Sequence, residues 1–174
     1  MIIKKQRKSY PVVFNRIADE LAKLRSKLSA SVYKKGTEKY RGEQEHEISK
    51  LGILAELIAQ DHFSNKKIKF KSAPLVDLEP CPEPDIVAQQ DGIRPLHSRY
   101  DVKGLKSTTD ELRVNYSSYN NRMRVEWYWF IRIYKDSTAE HYIVSNEEIK
   151  DWSVKELKYT KAYVLPLSEL LTSK

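Results

Sequence analysis

The pattern of apolar and polar positions changes period along the chain. Ile17, Leu21, Leu24, Leu28 and Val32 recur at spacings of three and four. That predicts a helix over 12–34 with one apolar stripe. Arg16, Lys23, Arg25, Lys27, Lys34 and Lys35 line the rest of it, Gly36 supplies a stop signal, and 35–42 reads as a polar connection. A second helix is expected over 43–63, with Ile48, Leu51, Gly52, Ala55, Ile58, Ala59 and His62 on one face.

Beyond residue 63 the period falls toward two. Lys67–Lys71 alternates as a half-buried strand does. Pro74, Pro80, Pro82 and Pro84 exclude a helix from the connection that follows. Short strands are expected at 85–89, 99–106, 112–115 and 141–144. The run from Val125 to Tyr134 is rich in aromatic and β-branched residues, as a central strand covered on both faces is. A short helix over 146–157 is expected, with Ser145 as cap and Glu148 three residues on. The segment 162–167 reads as an edge strand because it ends on Pro166 and Leu167. Helices followed by runs of strands imply a mixed α+β or α/β sheet.

At 174 residues and 20.4 kDa the chain suits one domain able to bury its own core. No apolar run approaches 18 residues, so no membrane span is expected, and the basic start leads into no signal-peptide pattern. A single cysteine, Cys81, excludes an internal disulfide framework and a cysteine zinc site. The expected setting is therefore cytoplasmic and reducing. The net charge of +7 is unevenly placed: residues 1–50 hold 13 Lys and Arg against 6 Asp and Glu, and residues 51–174 hold 18 of each. The excess lies on a basic N-terminal helical arm, 1–42, ahead of a core domain, 43–174. Such asymmetry favours an anionic partner, most commonly nucleic acid.

The candidate chemistry lies between residues 56 and 103. Asp85 follows Pro84 at the start of one expected strand, and Asp101-Val102-Lys103 lies in the next. Period two puts Asp101 and Lys103 on one face and Val102 on the other. Two carboxylates side by side repel unless a cation lies between them, and an all-oxygen site suits Mg²⁺ or Mn²⁺. The Val102 carbonyl is a further oxygen donor. A lysine beside such a site can stabilise charge that grows on a phosphate or orient the attacking water. Glu56 sits at the edge of the apolar stripe of the second helix, with Gly52 a turn earlier; Glu45 and Glu47 are alternatives. A polar, aromatic and basic cluster follows the lysine, with Asn115, Tyr116, Tyr119 and Arg122 at its centre and Lys106 ahead of it. Such side chains stack bases and bond phosphates, or pack on the sheet. His62 reads as a core-edge histidine, and Trp127, Trp129 and Phe130 as core.

Together, Glu56, Pro84-Asp85 and Asp101-Val102-Lys103 make the chain resemble the PD-(D/E)XK nuclease superfamily over about residues 43–144. The resemblance implies a restriction-endonuclease-like αβββαβ core carrying an added N-terminal helix. It also implies a Mg²⁺-dependent phosphodiesterase, with Mn²⁺ as substitute, acting on nucleic acid and first of all DNA. Asp85 and Asp101 would hold the metal, Glu56 would join directly or through water, and Lys103 would assist the water. Lys23, Lys27, Lys34 and Lys35 of the arm are expected to contact phosphates, and a homodimer interface is the competing use of that arm. The rival readings are a binding module of the same fold with a weakened site, and a small protein-interaction domain.

Overall fold

The computed structural model describes residues 2–32, 44–76, 84–89, 97–121, 125–158 and 160–171. Their elements run in the order β1 (Ile2–Ser9), α1 (Val13–Val32), α2 (Glu45–Asn65), β2 (Phe70–Ser72), β3 (Ile86–Gln89), β4 (His97–Lys106) and β5 (Glu111–Asn115). There follow α3 (Tyr116–Asn121), β6 (Trp127–Ile133), β7 (Thr138–Ser145), α4 (Asn146–Ile149), β8 (Ser153–Glu156), β9 (Lys161–Pro166) and a 3₁₀ turn at Glu169–Leu171. The fold is mixed α/β, built on a mixed open sheet of order β1-β7-β6-β4-β3-β2 and a three-stranded sheet of order β5-β9-β8. In the large sheet β4 and β6 run parallel, and every other neighbouring pair is antiparallel.

Strand β6 is central for the reason its composition suggests. Tyr128, Trp129, Phe130 and Ile131 are all buried. Trp129 and Ile131 face the core under α1 and α2, whereas Tyr128 and Phe130 face the core under the small sheet. Trp127, expected in the core, is half-buried at the strand's start. His141 is buried in β7 and accepts the indole N–H of Trp129 at 3.1 Å. His62 meets the same tryptophan ring edge-on, with centroids 5.2 Å apart, as a core-edge histidine would.

Several expectations need correction. The buried face of α1 is turned away from the predicted stripe: Ala18 and Ala22 are fully buried, while Ile17 is 38% and Leu24 48% exposed. Small alanines let α1 lie close on α2, and that close packing outweighs the larger side chains on the neighbouring face. Helix α2 buries Ala55, Ile58 and Ala59 of the predicted face, but it also buries Ser49, Ile53, Leu54 and Phe63 and exposes Ile48. The expected helix over 146–157 is one turn, α4, followed by strand β8; Ser145 makes no side-chain cap bond. Strand β9 is the middle strand of its sheet rather than an edge, and Pro166 sits at its end opposite Glu111. Strand β1 lies in a segment with no predicted element, since its lysines and arginine hide the alternation. It forms one edge of the large sheet, and its register shifts between Lys5 and Lys8. The N-terminal residues 2–32 thus belong to the main fold, β1 by pairing with β7 and α1 through Ala18 and Ala22 in the core. The expected boundary at residue 42 lies outside the described residues.

Candidate active site

Strand β4 carries Asp101 and Lys103 on one face and Val102 on the other. Val102 is 6% exposed and packs in the core beneath α2. The Lys103 ammonium lies 2.8 Å from Asp101 Oδ2 and 5.9 Å from the centre of the Tyr128 ring. Tyr128 stands opposite Asp101 on β6, so the pair rests on an aromatic floor. An ammonium over a ring face is held there electrostatically.

The local chemistry of Pro84-Asp85 opens the sheet at this point. Ile86 pairs with Tyr100. Two residues further along each strand, the next rung of the same type would pair Pro84 with Val102. Proline has no N–H to donate. That leaves the Val102 carbonyl without a donor from Pro84, while the Val102 N–H donates to the Asp85 carboxylate, at 2.6 Å from N to Oδ2. In a strand the N–H and C=O of one residue point to the same side. The Val102 carbonyl therefore faces the gap where β3 begins, beside Asp85 and Asp101. One proline thus ends the ladder, frees a carboxylate to reach across and aims a backbone oxygen at the same gap.

Glu56 arrives from α2. Gly104 sets how closely that helix approaches: a Cβ there would run into the backbone carbonyl and side chain of Leu51. Without it, α2 rests directly on β4, and Glu56, five residues on from Leu51, comes beside the strand carboxylates. A Cβ at Gly52 would meet nothing within 4 Å, so that glycine borders open space. Glu45 bonds Ser49, at 2.8 Å, and lies eleven residues earlier, about 16 Å along the helix axis, far from the cluster.

The electrostatics bind these groups together. Burial pushes the Glu56 carboxyl up to about 8; Asp85 and Asp101 add to the rise, whereas Arg25 and Lys103 oppose it. Asp85 is pushed up to about 7, first by burial, then by the charge of Asp101 and a hydrogen bond with it. Lys103 and the Val102 N–H pull it back. Three carboxyl groups at close quarters cannot all ionise cheaply without further positive charge. Arg25 of α1 carries no site signal in the sequence, where it reads as one more cation on a basic helix.

The donor set is all oxygen: Asp85, Asp101 and the Val102 carbonyl, with Glu56 beside them. Among the described residues no three His, Cys, Asp or Glu side chains converge as a ready metal cage. Mg²⁺ does not require one, since it keeps several waters and is commonly held by one or two carboxylates. Oxygen donors of this kind are the ones a hard divalent cation takes.

The described residues among those expected to bind nucleic acid stand on α1, β4, β5 and α3. Lys23 is paired with Asp19 at 2.8 Å and Glu20 at 3.0 Å, while Lys27 on the same helix is exposed. Lys106 ends β4 and lines a cavity of about 420 Å³ with Tyr10, Lys50, Thr108 and Tyr134. Asn115 is structural: its Oδ1 accepts the Ser117 N–H at 3.0 Å and the Ser117 hydroxyl at 2.7 Å, at the start of α3. Tyr119 donates to the Asn146 carbonyl at 3.1 Å and stacks toward Tyr128, which ties α3 to the sheet. Tyr116 is 40% exposed and stacks on Tyr163 at 5.1 Å. Lys34, Lys35 and Arg122 lie outside the described residues. The structure therefore brings Glu56, Asp85, Asp101, Val102 and Lys103 into one site, and of the described phosphate-binding candidates Tyr119 lies against its tyrosine floor. No family model, no curated protein and no solved structure matches the chain.

Proposed function

We propose that the protein is a metal-dependent nuclease hydrolysing phosphodiester bonds of nucleic acid, with DNA as the first substrate to test. One observation carries this reading: Glu56, Asp85, Asp101 and Lys103, from three separate elements, share one partly buried site. The resemblance to PD-(D/E)XK nucleases rested on the same four residues. The element order is α2-β2-β3-β4-β5-α3-β6. Strand β5 is an insertion in the small sheet, and the antiparallel β2-β3-β4 run with β6 added parallel to β4 supports the restriction-endonuclease-like core.

In this reading Asp85 and Asp101 hold Mg²⁺, or Mn²⁺ in its place, with the Val102 carbonyl as a third oxygen. A bound divalent cation supplies an activated water and neutralises phosphate charge. Lys103, held 2.8 Å from Asp101, presents its ammonium to the charge that grows on the phosphate oxygens. Glu56, with its carboxyl near 8, can exchange a proton close to neutral pH or ionise beside the cation. The tyrosine floor and the core under α2 keep the rear of the site dry, which strengthens each of these interactions.

No helix among the described residues is long and apolar enough to cross a membrane. A cytoplasmic setting is part of the proposal. The test is incubation with supercoiled plasmid, linear duplex, single strand and RNA, each with Mg²⁺, Mn²⁺ or EDTA. Cleavage of at least one substrate that stops in EDTA is expected. Salt-sensitive binding without cleavage under any metal would leave a binding module in its place.

A further inference from the structure

Strands β4 and β6, the parallel pair of the large sheet, end side by side, with Lys106 opposite Ile133. The cavity of about 420 Å³ lies at their carboxyl ends, against the first half of α2. Crevices beyond the carboxyl ends of parallel strands are where open α/β sheets take ligands. This one is separate from the carboxylate cluster. Asp101 stands five residues before Lys106, roughly 16 Å back along the strand and on its other face.

The cavity has two kinds of wall. Leu51, Leu54 and Ile133 line it with carbon, beside Tyr10 and Tyr134. Both phenols are already engaged: Tyr10 donates to Asn15 Oδ1 at 3.1 Å, and Tyr134 to Glu140 Oε2 at 2.7 Å. What these tyrosines have left for a ligand is ring surface. The other wall is Lys106 and Lys135, with Ser107 and Thr108 of the turn that follows β4. That turn is held in place. The Thr109 N–H donates to the Lys106 carbonyl at 3.0 Å, and Arg132 Nε donates to the Ser107 carbonyl at 3.1 Å. The charges around the cavity are unequally committed. Lys50 is paired with Asp19 at 2.8 Å, and Glu47, the acidic residue of the lining, lies 3.5 Å from His46 Nδ1. Lys106 and Lys135 are exposed and have no acidic partner among the described residues.

We infer that this cavity binds a nucleotide, with the phosphate at Lys106 and Lys135 and the base against the tyrosine and leucine wall. Two uncommitted ammonium groups and two hydroxyls match the charge and the acceptor oxygens of a phosphate. The volume is in the range that takes a ligand of mononucleotide size. Inorganic phosphate would leave the apolar wall wet, and an uncharged base would leave the lysines unused; a nucleotide meets both. A free mononucleotide and the phosphorylated end of a single strand offer the same chemistry. The inference does not rest on the nuclease reading, because none of these residues belongs to the carboxylate site.

Isothermal calorimetry in metal-free buffer tests it, with AMP, adenosine and inorganic phosphate as separate probes. AMP should bind one site at least about tenfold more tightly than adenosine or phosphate. The double variant Lys106→Met/Lys135→Met should weaken AMP binding at least about tenfold and leave adenosine unchanged, with an unshifted melting temperature, since methionine keeps most of the apolar stem of each exposed lysine. Lys66→Met, at the far end of α2, should leave AMP binding as it was. Competition with a 5′-phosphorylated tetranucleotide separates the two sources: displacement of AMP supports a strand end as ligand, and AMP binding that the tetranucleotide does not disturb supports a free nucleotide. AMP that binds no more tightly than phosphate would overturn the nucleotide assignment. AMP affinity unchanged in the double variant, or lowered as far by Lys66→Met, would overturn the site.

Discussion

Replacing Glu56 by Gln keeps the side chain's shape and removes a buried proton-binding group, and the stability of the fold should then lose much of its pH dependence. The Glu56 carboxyl is raised from 4.5 to about 8, first by burial and then by Asp85. Asp85 is raised from 3.8 to about 7, first by burial and then by Asp101. Both groups bind protons more tightly in the folded state than in the unfolded chain. Their stabilisation is complete below the ordinary carboxylate range and is lost as pH climbs through it toward 7 and 8. At about 1.4 kcal/mol for each pH unit, Glu56 alone carries at most ~5 kcal/mol and Asp85 at most ~4. The two figures share the same mutual repulsion, because the groups titrate as a set. A fall of about 2–4 kcal/mol between pH 5 and pH 8 is therefore expected in metal-free buffer. Urea denaturation at constant ionic strength measures it. Glu56→Gln should remove at least half of the fall. Mg²⁺ should restore the stability lost on the alkaline side, since a cation bound only by the folded state stabilises it. Wild-type stability that rises across this window, or an unchanged slope in Glu56→Gln, would refute the reasoning.

Three further outcomes follow from named contacts. Lys103→Ala should cut the single-turnover rate about 10²-fold or more, while affinity for substrate in Ca²⁺ changes little; collapsed affinity with a normal rate would make Lys103 a phosphate clamp. Gly104→Ala should destabilise the fold by about 1–3 kcal/mol and lower the rate as well, because the added methyl must push back the Leu51 backbone and with it α2; thermal melts and cleavage assays read both effects. Lys27→Glu should weaken binding to all nucleic-acid sequences alike and flatten the salt dependence, whereas Lys23→Glu should do less, its charge being shared already with Asp19 and Glu20. Fluorescence anisotropy at several salt concentrations separates the two.

The sequence pattern was most legible where one period ruled. The strand alternation of Asp101-Val102-Lys103 placed the carboxylate and the ammonium together and sent Val102 into the core, because a pleated strand permits no other arrangement. The hydrophobic density of 125–134 likewise led to the buried β6. Helix faces were less legible. Apolar counting favoured Ile17 and Leu24, yet helices approach through their smallest side chains, and Ala18 and Ala22 set the contact. Strand β1 escaped notice because an edge strand can carry lysine on its open side. The role of Pro84 was hidden for another reason: its missing N–H matters only once the β3–β4 register places it opposite Val102.

In the proposed nuclease Asp85 and Asp101 together would hold a divalent cation. Isothermal calorimetry with Mn²⁺ tests it without any assumption about substrate. The wild type should bind the metal at this site, and Asp85→Asn and Asp101→Asn should each weaken binding at least about tenfold while still folding cooperatively. Mn²⁺ affinity unchanged in both variants would contradict the claim and remove the metal site from this fold.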